Sequence, residues 1–254
     1  PADGSGPARV AVLEKNHRSQ QQIIALGEAI RLGDAEQAMT LLRATSDGDA
    51  PELSFFDSTG ELPDELREQV LTAALNLRRA ARAGDEEGAL AALEQHRLLC
   101  AHRDGPFGVR RWNERIEQWI SERTQGEGDD PLREAFYVGR PILVTVNDYA
   151  LGLHNGDVGV VVRSSDGSVK VVIASASGVV RLPPSRLHAI ETMHAMTIHK
   201  AQGSQADAVT VLLPEEEFPP LFPLWLICFT AIRPSASAFA ASASLIVVPL
   251  NASK

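Results

Sequence analysis

Residues 195–204, which read AMTIHKAQGS, contain the side chains best suited to chemistry. An apolar run is followed there by threonine, histidine, lysine, glutamine and glycine in close succession. Thr197 and His199 can donate hydrogen bonds to phosphate oxygens, Lys200 can neutralise a phosphate charge, and the glycine lets a backbone come close. The same pattern is also typical of a polar turn after a strand, and the residue types alone leave both interpretations open.

Several other common sites of chemistry are missing from the sequence. It contains no Gly-x-x-x-x-Gly-Lys-Ser/Thr loop, which would cradle the phosphates of ATP. It contains neither a Gly-x-Ser-x-Gly nucleophile turn nor a His-Glu-x-x-His metal-binding helix. His194 and His199 lie close together in the sequence, but we expect them to face opposite sides, so no metal site is predicted.

Strands and helices are predicted to alternate on both sides of this segment. Ser19 is expected to cap a helix whose apolar side carries Ile23, Ile24, Leu26, Ala29 and Ile30. Further helices are predicted at 36–43, 62–83, 85–96 and 112–123, the second and third being split at Gly84. Strands are predicted at 9–13, 53–56, 98–101, 209–213 and 245–248. This alternation indicates an α/β layer with a mostly parallel sheet.

The hydrophobic period changes between residues 139 and 190. Short β runs occur at 142–146, 158–163, 169–174 and 179–182, and Asn155-Gly156 and Asp166-Gly167 are strong turn signals. Such closely spaced short strands predict a small antiparallel barrel inserted into the α/β unit. The predicted domains are therefore an α/β domain made of residues 1–138 and 191–254, and a barrel made of residues 139–190.

Composition limits the class of protein. The chain has 254 residues, of which 44% are hydrophobic and 22% charged, as in an ordinary globular protein. Its net charge of −9 argues against a protein that coats nucleic acid over its whole surface. Residues 140–203 nevertheless carry six Lys/Arg against four Asp/Glu, so a polyanion contact is expected there. The two distant cysteines, and the lack of a signal peptide or membrane-length apolar run, predict a cytoplasmic protein.

Residues 195–204 resemble motif V of superfamily 1 helicases, and more closely that of the RecD-type alpha subunit of exonuclease V. Residues 13–19 (LEKNHRS) resemble motif IV, where an apolar strand leads to an arginine. Residues 98–109 (LLCAHRDGPFGV), with Asn113-Glu114-Arg115 after them, resemble a stretch peculiar to the RecD type. Residues 139–159 resemble the beginning of its inserted SH3-like module. Because these motifs occur in the family's order, the resemblance extends over residues 13–214.

This resemblance implies the second RecA-like motor domain of an ATP-driven DNA helicase that moves 5′ to 3′ on single strands. The parent would belong to a bacterial helicase–nuclease complex that processes double-strand breaks. Thr197, His199 and Lys200 would contact the DNA backbone and couple it to hydrolysis, whereas Gln202 and Gly203 would lie on the nucleotide side. Its partners would be single-stranded DNA, the first motor domain and other subunits of the complex.

The resemblance also assigns roles outside motif V. Arg18 would act as an arginine finger on the γ-phosphate held by the first motor domain, the alternative being a surface arginine that caps a strand end. The inserted barrel would help to enclose the single strand, with His154 and Asn155 as candidates at a loop tip, where a solvated turn is the alternative. Removing residues 158–182 is therefore expected to weaken DNA engagement and to spare basal ATP hydrolysis.

The resemblance fails at motif VI. The family has an aromatic residue followed by Thr-Ala-x-Thr-Arg-Ala, and the arginine touches the γ-phosphate. This sequence reads FTAIRP over residues 229–234, which is one residue short and places a proline directly after the arginine. Arg233 is retained as a second candidate finger.

The family's phosphate loop and Mg²⁺-binding acid would lie upstream of Pro1, so ATP and Mg²⁺ would be bound mainly by another domain. We therefore expect a C-terminal portion that does not hydrolyse ATP by itself. Two alternatives stay open. One is a non-enzymatic module that binds DNA or partners, for which the acidic helical region 34–94 could be a partner surface. The other is a small-molecule enzyme, for which the sequence offers no constellation of side chains.

Overall fold

The computed structural model describes residues 21–44, 53–56, 62–126, 130–202, 206–214 and 244–250, the last of these for the backbone alone. The predicted strand at 9–13, the Ser19 cap, and the segments that resemble motifs IV and VI lie outside the described residues. Within the described part of the chain, no helix is both long and apolar enough to cross a membrane.

The described helices follow the predicted ones closely. They are α1 (Gln21–Leu32), α2 (Ala35–Ala44), α3 (Asp64–Arg82), α4 (Glu86–Gln95) and α5 (Val109–Arg123). After α3, Gly84 has a φ of 76°, the left-handed conformation that glycine favours beyond a helix end. The Asp85 side chain then caps α4 by accepting a hydrogen bond from the Gly88 N–H at 2.9 Å. The predicted split at Gly84 is therefore confirmed.

Helix α1 corrects one prediction about its buried side. Ile23, Leu26 and Ala29 are buried, whereas Ile24 is 38% exposed. The buried positions recur every three residues and form one stripe along the helix. Ile24 lies about 100° further round the helix than Ile23, so it leaves the contact stripe.

Ten strands are described, and they divide between two sheets. They are β1 (Leu53–Phe55), β2 (His96–Cys100), β3 (Pro141–Val144), β4 (Val158–Arg163), β5 (Val169–Ser175), β6 (Gly178–Leu182), β7 (Ile190–Thr192), β8 (Ala195–Thr197), β9 (Ala208–Pro214) and β10 (Ser244–Leu250). The first sheet has the order β1-β10-β9-β2-β8, and each of its strand pairs is parallel. The predicted α/β layer with a parallel sheet is confirmed.

The second sheet is inserted between α5 and β8. It is antiparallel, with the order β6-β5-β4-β3-β7. The four predicted strands are present, and β7 is a fifth strand that reaches Thr192, past the predicted boundary at residue 190. Strands β6 and β7 are the two edges of this sheet. The strand pairing that the structure describes therefore leaves the sheet open and does not show the predicted barrel.

The two sheets share one hydrophobic core. Val160 and Val162 of β4 and Val172 of β5 belong to the same buried cluster as Leu77 and Ala81 of α3. The inserted sheet also has a core of its own, formed by residues such as the β4 and β5 valines at positions 161 and 171. One face of this sheet therefore packs on the α/β layer, so removal of residues 158–182 would also uncover part of that layer's core.

Close contacts fix the inserted sheet on the helices. A Cβ on Gly139 would lie 2.6 Å from the Cα of Arg78 in α3, so only glycine allows this approach. Glu86, in the first turn of α4, pairs with Lys170 of β5 at 2.5 Å and with Arg181 of β6 at 2.6 Å. Together these contacts hold the inserted sheet against α3 and α4.

Candidate functional site

The segment that resembles motif V begins at the carboxyl edge of the parallel sheet. Thr197, the last residue of β8, is in register with Cys100, the last residue of β2. Two neighbouring strands therefore stop at the same level. Open α/β sheets bind their ligands at this edge, so the fold delivers the segment to a position suited to binding.

A tight turn follows Thr197. The Ile198 N–H donates to the Cys100 carbonyl at 3.1 Å and so ties the turn to β2. The Thr197 Oγ1 accepts a hydrogen bond from the Lys200 N–H at 3.2 Å. Because the hydroxyl oxygen acts here as an acceptor, its proton stays available for donation to a ligand.

The turn alternates between buried and exposed side chains. Ile198 and Ala201 are buried, at 3% and 1% exposure, and they anchor the turn in the core. His199 and Gln202 are exposed. Gly203, the last of the residues predicted to act here, lies outside the described residues. The apolar anchors thus present the polar side chains to solvent.

Three charged side chains meet beside this turn. The Lys200 Nζ lies 3.1 Å from Oε2 of Glu191, and an Arg103 guanidinium nitrogen donates to Oε1 of the same carboxylate. Lys200 follows β8, Glu191 lies in β7, and Arg103 lies in the loop after β2. The side chains are 34%, 33% and 57% exposed, respectively. Our sequence interpretation assigned no role to Arg103 or Glu191.

The loop between β2 and α5 positions Arg103. The Arg110 N–H at the start of α5 donates to the Arg103 carbonyl at 3.1 Å and closes the loop. A Cβ on Gly108 would lie 2.5 Å from the Asp104 carbonyl oxygen, so the closure requires glycine at this position. This loop belongs to the stretch that resembles the RecD type, and that resemblance was the available sequence signal for Arg103.

Asn113 of α5 holds the junction between the inserted sheet and β8. Its side-chain Oδ1 accepts a hydrogen bond from the Ala195 N–H at 2.9 Å, and its Nδ2 donates to the Thr192 carbonyl at 3.0 Å. Asn113 is 9% exposed and flanked on its helix by the buried Trp112 and Ile116. An asparagine on the apolar side of an amphipathic helix was the signal that could have revealed this contact.

A partly buried chain of three polar side chains lies next to the same junction. The Tyr137 hydroxyl contacts the His194 Nε2 at 2.6 Å and donates to Glu117 Oε1 at 3.2 Å. Burial, together with the smaller effect of the positive charge of Arg140, lowers the pKa of His194 to about 3. Neutral His194 can donate from Nε2 to Tyr137, which then donates to the carboxylate. Burial also raises the pKa of Glu117, against the hydrogen bond from Tyr137.

Two clefts share Glu117 of α5 and Thr192 of β7 in their lining. The first has a volume of about 290 Å³. It is lined by Arg103, Val109, Arg110, Asn113, Glu114, Glu117, Glu191 and Thr192. The second, of about 300 Å³, is lined by Glu117, Thr192, residues 131–135, Tyr137 and Arg140. The first cleft therefore includes two of the three charged groups beside the turn.

His154 and Asn155 lie in the exposed loop between β3 and β4. The His154 N–H donates to Asp157 Oδ2 at 2.8 Å, and the Asn155 N–H donates to Asn147 Oδ1 at 2.7 Å. Both side chains face solvent, together with Tyr149, which is 79% exposed and packs edge-on against His154 at 6.3 Å. An exposed aromatic ring at a loop tip is suited to stacking on a base. Our sequence interpretation did not include Tyr149.

The two candidate arginine fingers, Arg18 and Arg233, lie outside the described residues. Among the residues that are described, no group of three or more His, Cys, Asp or Glu side chains could hold a metal ion.

Comparison with known proteins identifies relatives. No protein-family profile matches the chain. It is 50% identical over 215 residues to the RecBCD enzyme subunit RecD of Mycolicibacterium smegmatis, a match that covers 85% of this chain and 36% of that protein. The predicted resemblance to RecD-type subunits is confirmed.

A second RecD relative matches a similar share of the chain. The RecBCD enzyme subunit RecD of Mycobacterium tuberculosis (strain H37Rv) is 47% identical over 210 residues, which covers 83% of this chain and 35% of that protein. The chain thus spans about a third of the length of these RecD relatives.

Among solved structures, the Pif1 helicase from Bacteroides in complex with ADP-AlF3 and ssDNA is 14% identical, with a TM-score of 0.39. That match covers 86% of this chain and 50% of that one, and a likeness of this degree supports no functional conclusion.

Proposed function

We propose that this chain is the C-terminal motor portion of an ATP-dependent 5′–3′ DNA helicase subunit. The subunit would belong to a helicase–nuclease complex that acts in double-strand break repair and recombination. The observation that carries the proposal is the 50% identity to the RecD subunit from M. smegmatis over 85% of this chain. Because the chain spans about a third of that relative, the activity is proposed for the assembly to which it contributes.

The proposed DNA contact is the turn after β8. Thr197 and His199 would donate hydrogen bonds to backbone phosphates, and Lys200 would neutralise phosphate charge. The position of this turn at the carboxyl edge of two parallel strands supports these roles. His154 and Asn155, at an exposed loop of the inserted sheet, would form a second contact with the same strand.

The proposed nucleotide contacts are Gln202, in the turn, and Gly203, which follows it in the sequence, with Arg18 and Arg233 as arginine fingers. Arg fingers of this kind stabilise charge on the transferred phosphoryl group. The sequence has no phosphate loop, and among the described residues no group of three or more His, Cys, Asp or Glu side chains could hold a metal ion. ATP and Mg²⁺ would therefore be held mainly by the first motor domain, and this chain's residues would act on the nucleotide from the other side.

The proposed architecture is a second RecA-like motor domain with an SH3-like insertion. The parallel sheet, the antiparallel sheet inserted before β8 and the resemblance of residues 139–159 support it. The partners would be single-stranded DNA, the first motor domain and other subunits of the complex, in the bacterial cytoplasm.

A chimera tests the proposed function. This chain replaces the segment that it matches in the M. smegmatis RecD subunit, and ATPase rate and unwinding of a 5′-tailed duplex are measured against single-strand concentration. We expect DNA-stimulated hydrolysis and unwinding comparable with the unmodified subunit measured beside it. Thermal unfolding of the chimera, followed by circular dichroism, establishes that it is folded at the assay temperature.

Two outcomes would count against the proposal. A folded chimera that binds single strands without turnover, beside an active unmodified subunit, would favour the alternative of a non-enzymatic DNA-binding module. A folded chimera that neither binds single strands nor hydrolyses ATP would overturn both interpretations.

The 254-residue chain alone supplies a further prediction. Because it has no phosphate loop, we expect no ATP turnover above background. It should bind single-stranded DNA weakly, and each neutralised phosphate should contribute about 0.7 to the slope of log affinity against log salt. Robust hydrolysis by the purified chain would contradict the division of labour between two motor domains.

A further inference from the structure

Two cations converge on one carboxylate at the carboxyl edge of the parallel sheet. Lys200 contacts one oxygen of Glu191 at 3.1 Å, and Arg103 donates to the other oxygen. The three residues come from separate elements, since Arg103 follows β2, Lys200 follows β8 and Glu191 lies in the inserted sheet. Arg103 and Glu191 are 88 positions apart in the chain, so the fold alone creates this group.

The geometry of this group is that of an anion site. A guanidinium and an ammonium each bind one oxygen of a single anionic group, and both cations also suit the oxygens of a phosphodiester. The first cleft adjoins it, and its lining combines Arg110 at the start of α5 with the carboxylates of Glu114 and Glu117 further along that helix. The amino end of a helix adds a favourable field for an anion.

The ion pairs are exposed enough to exchange. The Arg103 side chain is 57% exposed, and those of Lys200 and Glu191 are 34% and 33% exposed. Solvated pairs of this kind stabilise a fold by about 1 kcal/mol or less, because water competes with the partner. A phosphate of a DNA strand can therefore displace the carboxylate at small cost.

We propose that Arg103 and Lys200 form a binding site for one backbone phosphate of single-stranded DNA, and that the Glu191 carboxylate occupies this site until the strand displaces it. The proposal rests on the proposed function, since it takes single-stranded DNA as the ligand. It adds Arg103 as a DNA contact and gives Glu191 a regulatory role.

The displaced residue connects the DNA edge to the inserted sheet. Glu191 pairs with Leu143 across the β7–β3 ladder, and β7 leads directly into β8. Asn113 holds the segment between these two strands through Thr192 and Ala195. DNA binding that breaks the Glu191 ion pairs would therefore change contacts at the point where the inserted sheet joins the segment that resembles motif V.

Glu86 provides a matched control within the same chain. It is also a carboxylate bound by two cations, Lys170 and Arg181, but it joins the inserted sheet to α4. Its side chain is 19% exposed, less than that of Glu191. Glu86→Gln and Glu191→Gln remove the same charge. A difference between their DNA affinities therefore reflects the local site and not the overall charge.

The experiment measures binding of a fluorescent single-stranded oligonucleotide to the 254-residue chain by anisotropy, over a series of salt concentrations. We expect Glu191→Gln to raise affinity about threefold to tenfold, the amount set by two weak ion pairs. Arg103→Gln should weaken binding and lower the salt slope by about 0.7, which corresponds to one phosphate. The double variant Arg103→Gln/Glu191→Gln should lose most of the gain in DNA affinity that Glu191→Gln gives alone.

Controls and contrary outcomes separate this proposal from the function on which it rests. Glu86→Gln should change affinity less than Glu191→Gln, and Arg123→Gln, which removes an exposed arginine paired with Glu68 elsewhere, should leave the salt slope unchanged. If the unchanged chain binds DNA, and Glu191→Gln and Glu86→Gln bind it with equal affinities, the proposal is overturned and the proposed function still stands. No binding by any folded variant would overturn both, with folding checked by thermal unfolding of each protein.

Discussion

His199 is the most exposed of the polar residues predicted to contact DNA from the turn after Thr197, and its neighbours Ile198 and Ala201 anchor that turn. Replacing His199 by alanine removes a donor to phosphate and leaves the buried anchors in place. In the chimera, we expect His199→Ala to lower the stimulation of ATPase by single strands more than the DNA-independent rate. The measurement is ATPase rate against single-strand concentration.

The exposed His188, which lies before β7, is the control for that variant. His188→Ala should leave stimulation within about twofold of the unchanged chimera, since substitutions at exposed positions away from a site usually have small effects. Equal loss of DNA-stimulated ATPase in both variants would show that the turn has no special role in that stimulation.

His194 couples stability to pH. Burial lowers its pKa to about 3 in the folded chain, from an ordinary value of 6.5. Between these values the unfolded chain binds a proton that the folded chain does not, so the free energy of unfolding should fall as the pH is lowered from 6.5 towards 3. His194→Gln should reduce this slope by up to about 1.4 kcal/mol per pH unit.

Urea unfolding of both proteins at several pH values measures that slope. His96 gives an independent comparison, because burial lowers its pKa to about 4 and it lies against Thr210 in the parallel sheet. His96→Gln should likewise reduce the slope between pH 6.5 and about 4. Identical slopes for the unchanged chain and His194→Gln would show that His194 is protonated in the fold.

At the scale of elements, the connection from α5 to β3 depends on a close approach to α3. Gly139 has a φ of 88°, and a Cβ there would lie 2.6 Å from the Arg78 Cα. Gly156 has a φ of 101° but nothing within 4 Å of an added Cβ. Gly156→Ala should cost about 1–2 kcal/mol for the left-handed conformation alone. Gly139→Ala should cost more, because the backbones must also separate.

Urea unfolding of the two alanine variants isolates the packing contribution as the difference between them. Equal free energies of unfolding would mean that the inserted sheet can move away from α3 at no cost. The contact between Gly139 and Arg78 would then not hold the two sheets together.

At the scale of the whole molecule, the inserted sheet completes the core of the α/β layer. Deletion of residues 158–182 removes Val160, Val162 and Val172 from the cluster that contains Leu77 and Ala81. Uncovering buried side chains costs about 1.5–3 kcal/mol for each large apolar residue. We therefore expect the deletion to abolish cooperative unfolding of the whole chain.

Near-ultraviolet circular dichroism and urea unfolding measure this effect. Val179→Ser is the control, since Val179 lies in the deleted region but is 46% exposed, and it should leave the unfolding midpoint nearly unchanged. A deletion variant that unfolds cooperatively at the original midpoint would show that the inserted sheet is a separate unit.

Local features of the sequence predicted most of the elements. The spacing of apolar residues located α3 and α4, and Gly84 and Asp85 marked the boundary between them, because helix ends depend on nearby residues. Turn residues such as Asn155-Gly156 and Asp166-Gly167 located the antiparallel strands. Strand β7 was missed because it has three residues and no turn signal, and its pairing with β3 joins distant segments.

The sequence by itself determined the residue types of the turn after β8, the alternation of helices and strands, and the resemblance to RecD-type subunits. Only the tertiary structure decided that Arg103, Glu191 and Lys200 meet, that Asn113 holds the junction, and that the inserted sheet shares a core with α3. Periodicity and turn chemistry act over a few residues, so they can be read along the chain. Contacts between distant segments arise from strand order and packing, which no single stretch of sequence contains.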